Sequence, residues 1–549
     1  MAAGTDLDKI EAGRTVLRND DQPHDILKGD MDNVPENFSE IQEMKQGLHT
    51  RHVSMIALCG AIGTGLFLAS GRTLAKSGPL GALLAYLIVG IAGCCVTLDV
   101  GEMGALVPLS GGIVRYSEIF VEPALSFANG WNLVLKGLIV IPAEITATAV
   151  LMKFWLDISS AAWITLFGGL TIITSSLLVR VYGELEFVFG LLKILLILVI
   201  DIMAIVITSG GGPDGQVIGF KYWGSPGPFV QYLGVQGSLG QFLGFWSACS
   251  TVIFAYSGIE TISLTAAETR NPRVAIPRAA KRVFWRVLIF YVITIFMVGM
   301  IVPSDNPQLL GKKTTASSPF VIAATLAGIG GIPHFINAIV ITSAWSSGNS
   351  MMLHYTRYLY GMAKKGHAPR LFTRLNRFRV PWINTLFFGS FIGLAYMSTS
   401  AGAATIFTWL QDLASVAITI NWIVILITYL RFYYGCKAQG INRHEELPYA
   451  SPFQPYFSWA ALTFFSLLLL TGGFSTFMTD NWDTHTFVSS YVNIPIIIII
   501  YTGYKVLGSS KIIPLAEIPI RPFIQVYRSE PLIEEKPKTG FQKLNILWS

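Results

Sequence analysis

Three glycines and a threonine interrupt an apolar run early in this chain, at Gly60-Ala61-Ile62-Gly63-Thr64-Gly65. Glycine weakens a helix and lets the backbone leave it. In lipid the freed polar groups are costly unless protein, water or a ligand satisfies them. A break at this depth therefore lines a cavity. The amides near Gly63 and Gly65 and the Thr64 hydroxyl, at the positive end of a half-helix, suit a carboxylate. The carbonyls of Ala61, Ile62 and Phe254 suit an ammonium group. Phe254 opens a second interruption, Phe254-Ala255-Tyr256-Ser257-Gly258-Ile259-Glu260. Phe254, Ala255, Tyr256 and Ser257 there would flank a ligand's side chain, with an aromatic as gate. The competing readings are glycines that only allow tight helix packing, and aromatics that face lipid or core.

Ionisable groups inside apolar runs are the next candidates. Glu144, in Ile141-Pro142-Ala143-Glu144-Ile145-Thr146, is an acid deep in a span. A carboxylate at that depth costs about 2.5–3.5 kcal/mol on insertion scales, so it has a partner or a task. It can bind an ammonium group, carry a proton, or hydrogen-bond a neighbouring helix. Lys193 lies about 12 Å from the start of its helix, too deep to reach the interface without strain. It is a proton carrier or a fixed structural cation. Asp99, Glu102 and Glu260 read as packing or gate carboxylates. Asp412 either lies near a ligand or pairs with a helix end. Asn349 is a polar contact to the first helix, or an ordinary interhelical bond. No enzyme arrangement is present: Gly63-Thr64-Gly65 lacks the spacing and lysine of a phosphate loop, eight histidines show no metal-ligand pairing, and five cysteines imply no disulfide framework.

The elements that must position these residues are membrane spans. The 549 residues are 52% hydrophobic and 13% charged, about half the charge of a soluble domain. Runs of about 20 apolar residues predict an all-α polytopic membrane protein with about twelve spans. They fall near 53–75, 80–107, 124–152, 159–178, 185–209, 240–264, 283–303, 319–350, 383–400, 403–429, 457–477 and 487–507. Residues 1–50 read as a disordered tail, 51–507 as the transmembrane domain and 508–549 as a second polar tail. The polar, acidic start excludes a cleavable signal peptide. Basic residues crowd three loops: Arg270, Arg273, Arg278, Lys281 and Arg282; Lys364, Lys365, Arg370, Arg374, Arg377 and Arg379; Arg431, Lys437 and Arg443. By the positive-inside rule both termini are cytoplasmic. Arg72, Lys76, Lys221, Lys312 and Lys313 are exceptions on the opposite side. The two interruptions lie in the first and sixth spans, matching members of two five-helix halves, which points to an inverted-repeat transporter with its site at midplane.

Further motifs carry a resemblance. Arg51-His52 and Ile56-Ala57-Leu58 precede the Gly-Thr-Gly segment. Pro108-Leu109-Ser110-Gly111-Gly112, Glu122-Pro123-Ala124-Leu125 and Gly130-Trp131-Asn132 follow the second span. Gly183-Glu184-Leu185-Glu186-Phe187 opens the fifth, and Gly219-Phe220-Lys221-Tyr222-Trp223 with Pro226-Gly227 stands in an external loop. Glu268-Thr269-Arg270-Asn271-Pro272-Arg273 and Ile276-Pro277-Arg278 follow the sixth. Gly348-Asn349-Ser350, Arg357-Tyr358-Leu359-Tyr360-Gly361 and Ala368-Pro369 come with or after the eighth. Together these resemble the fungal amino acid permeases of the amino acid–polyamine–organocation superfamily, from about Gly47 to Tyr504. The resemblance implies a leucine-transporter-like 5+5 fold with broken helices 1 and 6, proton-coupled uptake and a plasma-membrane location. It also implies that Lys193 stands where related transporters hold a sodium ion, and that tail lysines such as Lys9, Lys28 and Lys45 are marks for ubiquitin ligase machinery. Cys59 departs from the usual glycine, and Asp412 from the usual neutral side chain.

The reading is a secondary active transporter that imports an amino acid with a proton through the lipid bilayer. It needs no cofactor, because the proton gradient supplies the energy. Its rivals are a carrier of another small amine such as a polyamine or choline, a transporter-like amino acid receptor, and a channel.

Overall fold

A computed structural model describes residues 62–108, 112–156, 158–176, 179–212, 215–261, 272–310, 318–328, 330–377, 380–478 and 482–529. The amino-terminal tail with its lysines, Cys59, Gly60, Ala61, the segment Leu109-Ser110-Gly111, Arg270, Lys312 and Lys313 lie outside the described residues.

The first helices are α1 (Thr64–Phe67), α2 (Ala69–Leu106), α3 (Gly112–Phe120) and α4 (Pro123–Met152). At 1.5 Å per residue α2 would be about 57 Å long, far beyond a bilayer core of about 30 Å. It is in fact two helices. Gly78, at φ 76°, turns the chain between the end of the first span and the start of the second. A side chain there would also strike Pro228 O and Phe229 Cα, so the loop that carries them is seated on this turn. Then follow α5 (Ser160–Ser175), α6 (Val179–Thr208), α7 (Gly237–Ala255) and α8 (Pro272–Ile301). The second half comprises α9 (Pro319–Leu326), α10 (Ile332–Lys364), α11 (Trp382–Ser390), α12 (Ala403–Ala438), α13 (Tyr456–Thr471), α14 (Thr484–Tyr491) and α15 (Asn493–Leu507). The expected span at 319–350 is thereby corrected. Gly328, at φ 70°, ends the short α9, and a separate helix, α10, runs from Ile332 on to Lys364.

Among the described residues six helices are long and apolar enough to cross a membrane by length and composition. The burial pattern is that of a protein in lipid. Ile202 is 61% exposed and Ile499 68%, whereas Lys136 and Lys193 are each 1% exposed. Apolar side chains face out and charges face in, the reverse of a water-soluble surface.

Two packing groups position the interior. α2 lies along α7 and α8, and α4 lies along α10 and α12. α6 touches both α8 and α10, so it spans the two groups. Small residues set the distances: a Cβ on Gly137 would stand 2.6 Å from the Tyr355 ring and 2.7 Å from that of Phe388. Residues 508–529 fold back along the ends of α4 and α12. The Ile513 amide donates to Val121 O at 3.0 Å, and Gln439 donates to Ile518 O at 2.7 Å. The final helix α16 (Ile520–Ser529) buries Ile520, Phe523 and Ile524.

Candidate functional site

At both predicted interruptions the described backbone is non-helical. α7 stops at Ala255, and Gly258 at φ 94° adopts the left-handed backbone that glycine tolerates, before a single turn at Ile259–Thr261. In the first span Ile62 and Gly63 are non-helical, and α1 begins at Thr64. The first amides of a helix have no carbonyl one turn earlier to receive them. The two breaks meet at Gly65, where an added Cβ would lie 2.3 Å from the Ala255 Cα. Gly65 thus serves backbone packing. Gly63 serves a different role, since a Cβ there would lie 2.8 Å from Ser347 Oγ and 3.4 Å from Glu144 Oε1.

Glu144 therefore stands at the mouth of the first break. Ser347 Oγ donates to its Oε1 at 3.0 Å. Thr64 lies alongside the carboxyl through both its amide and its hydroxyl. Yet Thr64 Oγ1 and Glu144 Oε2 are shielded and make no well-formed hydrogen bond, and neither does Ser257 Oγ at the other break. Buried polar atoms left so are costly, and they mark where a ligand's polar groups can be received.

Behind Glu144 lies a second carboxylate. Ser346 Oγ donates to Glu186 Oε2 at 3.0 Å, so consecutive serines of α10 each hold one acid. Lys193 acts electrostatically on both Glu144 and Glu186. Glu186 and Lys193 are seven residues apart on α6, about two turns, and share a face. Four elements thus converge: α1 with Thr64, α4 with Glu144, α6 with Glu186 and Lys193, and α10 with the two serines.

A third group ties the sixth-span break to α4. Lys136 Nζ donates to Glu260 Oε1 at 2.7 Å, both side chains being 1% exposed. The Gly258 amide donates to Glu260 Oε2 at 3.1 Å, and Trp422 Nε1 to the same oxygen at 3.3 Å. The carboxylate is thus paired and hydrogen-bonded, as a buried charge requires.

The remaining candidates sort by side-chain direction. Ile62 is fully buried, and Phe254 is 3% exposed with its ring edge-to-face on Phe407. Tyr256 is committed to helix packing instead of flanking a ligand. Its ring stacks on Tyr291 with centroids 4.7 Å apart, and its hydroxyl donates to Tyr86 O at 2.8 Å. Asn349 faces the fourth span, not the first: its Oδ1 accepts from Thr174 and Ser175, each at 2.9 Å. Asp412 is held by both terminal nitrogens of Arg72 at 2.8 and 3.1 Å. Asp99 accepts from Ser458 at 2.6 Å and Gln454 at 2.7 Å, and Glu102 from Tyr429 at 2.7 Å and Arg443 at 2.6 Å. These last two are the packing carboxylates expected near the basic loops. Lys136, Glu186, Ser346 and Ser347 are the residues that sequence reasoning gave no role. Lys136 carries the same signal as Lys193, a cation within an apolar run.

The family model for amino acid permeases matches residues 52–513. The dicarboxylic amino acid permease of Saccharomyces cerevisiae is 34% identical, over 90% of this chain and 83% of the relative. The proline-specific permease of the same yeast is 33% identical, over 98% of this chain and 88% of the relative. Its basic amino-acid permease is 32% identical, over 92% of this chain and 88% of the relative. Among solved structures, a manganese transporter from Eremococcus coleocola shares the fold at a TM-score of 0.57 and 14% identity, covering 86% of this chain and 94% of that one.

Proposed function

We propose, since the chain belongs to the amino acid permease family, that it imports amino acids across the plasma membrane together with a proton, both termini being cytoplasmic. The observation that carries this reading is the position of a carboxyl, Glu144, beside the amide and hydroxyl of Thr64, with Lys193 and Glu186 behind it.

The chemistry follows from charge. A substrate carboxylate seeks the positive end of α1, and Glu144 already lies there. Two like charges about 4 Å apart repel by about 4 kcal/mol at an effective dielectric of 20. A proton on Glu144 removes that repulsion and turns the acid into a donor. Proton and substrate therefore bind together, by a coupling large enough to make uptake depend on the gradient. Lys193 faces both carboxylates and balances whichever is ionised. The substrate ammonium goes to carbonyls at the breaks, and Phe254 and Ser257 border its side chain. The printed substrates of the relatives differ, being dicarboxylic, proline and basic amino acids. A backbone pocket that reads the groups common to every amino acid accounts for that spread.

The test is uptake by the purified chain in proteoliposomes. An inward proton gradient should drive accumulation of at least one amino acid, and preloaded substrate should accelerate exchange. Flux without exchange stimulation would indicate a channel, and binding without flux a receptor.

A further inference from the structure

Asp99 and Glu102 stand one turn apart on α2, and both side chains are fully buried. Glu102 has the charge partner. Arg443 donates to it at 2.6 and 2.8 Å, and Tyr429 Oη and the Ser451 amide each donate at 2.7 Å. Asp99 makes no ion pair among the described residues. The other groups that face it are the Cys95 thiol on α2, Tyr429 on α12, and Tyr449. The Lys281 ammonium of α8 lies over the Tyr449 ring, 4.7 Å from its centroid.

The hydrogen bonds around Asp99 fix its charge. Gln454 Nε2 donates to Asp99 Oδ1 at 2.7 Å, and the Ser458 amide donates to Gln454 Oε1 at 3.2 Å, which sets the orientation of the glutamine amide. Ser458 Oγ then lies 2.6 Å from Asp99 Oδ2 and 2.6 Å from Gln454 Oε1. Both are hydrogen-bond distances, but a hydroxyl has one proton to give. With Asp99 ionised, one of the two contacts would press oxygen lone pairs together. The Cys95 thiol, 3.8 Å from Oδ2, does not lie between them. A proton on Asp99 satisfies both contacts: Asp99 donates to Ser458, and Ser458 to Gln454. It also removes an unpaired charge from a buried position. The ring so closed joins α2 to the start of α13, and beside it Glu102 joins α2 to α12 through Tyr429. α2 and α12 belong to the two packing groups, so this network lies across their junction.

We propose that Asp99 is a proton-binding site distinct from Glu144, occupied in this conformation, and that loss of its proton opens the Asp99–Gln454–Ser458 ring, making it a pH-operated clasp between α2 and α13. With both termini cytoplasmic, this end faces inward. An acidic interior then keeps the clasp shut and slows the rearrangement that releases substrate, so uptake with protons limits itself. That consequence rests on the reading of this chain as a proton-coupled carrier; the proton on Asp99 and the clasp do not.

Infrared difference spectra of the purified full-length chain test the proton. Wild type minus Asp99→Asn should contain the carbonyl band of a protonated carboxylic acid at pH 6 and a carboxylate band at pH 9. Ser458→Ala removes the group that accepts the proton, so it should shift the same band and serves if Asp99→Asn does not fold. Cys95 Sγ lies 3.7 Å from Ser458 Oγ, against the ring, and an opened clasp exposes it. Its labelling by N-ethylmaleimide, read by peptide mass and divided by that of Asp99→Asn at the same pH, should rise severalfold from pH 6 to pH 9. A carboxylate band at pH 6 overturns the bound proton. A protonated band that persists at pH 9, or a labelling ratio that does not change with pH, overturns the clasp. Neither measurement involves transport, so failure of the carrier reading is distinguished from failure of the clasp.

Discussion

Ser347 on α10 donates to Glu144 on α4 at 3.0 Å, directly over Gly63, the residue before the first turn of α1. This bond joins the carrier's break to the acid–amine group behind it. Any side chain at position 63 meets it first.

Gly63 and Gly65 should therefore fail differently. At Gly63→Ala the obstacle is the movable end of Ser347, 2.8 Å away. The protein should fold and lose substrate affinity at least tenfold, about 1.4 kcal/mol. At Gly65→Ala the obstacle is backbone, the Ala255 Cα at 2.3 Å. Overpacking of that kind costs about 1–3 kcal/mol, so this variant should show a lowered unfolding temperature. Thermal unfolding and binding measured on both variants check the contrast; equal melting temperatures would remove Gly65 from the packing role.

Glu144→Gln should keep the hydrogen bond with Ser347 but carry no titrating proton. Substrate exchange should persist at a rate nearly independent of pH between 5 and 8, while gradient-driven accumulation disappears. Retained pH dependence would assign the proton to another group.

The Lys136–Glu260 pair should behave as a buried ion pair. Lys136→Met leaves a carboxylate uncompensated and should destabilise by about 3–5 kcal/mol. The double variant Lys136→Met with Glu260→Gln should recover most of that loss. A double variant no more stable than the single one would argue against direct coupling.

Much of this site is legible in the sequence, and what is not has physical causes. Gly258 betrays the sixth-span break because a left-handed residue cannot continue a helix. Glu144 and Lys193 stand out as charges in apolar runs. Glu186 sits seven residues nearer the start of its helix, where a carboxylate also fits the interface. Ser346 and Ser347 are invisible because serine in a span commonly bonds its own backbone. Asp412 has its partner 340 residues away, a distance no local pattern spans. Tyr256 lies just past a break, where the helical period no longer says which way a side chain points, and Asn349, inside α10, meets partners on α5 that are distant in sequence. The turn at Gly78 falls in the gap between the first two expected spans, whereas the stop at Gly328 lies inside the expected span at 319–350, which hydropathy alone could not divide.

The central claim is that Lys193 and its two carboxylates couple a proton to the substrate at the helix breaks. The most direct measurement compares wild type with Lys193→Ala in proteoliposomes, scoring gradient-driven accumulation and substrate exchange side by side. Accumulation should be abolished while some exchange remains. Uphill uptake at the wild-type level in Lys193→Ala would contradict the account.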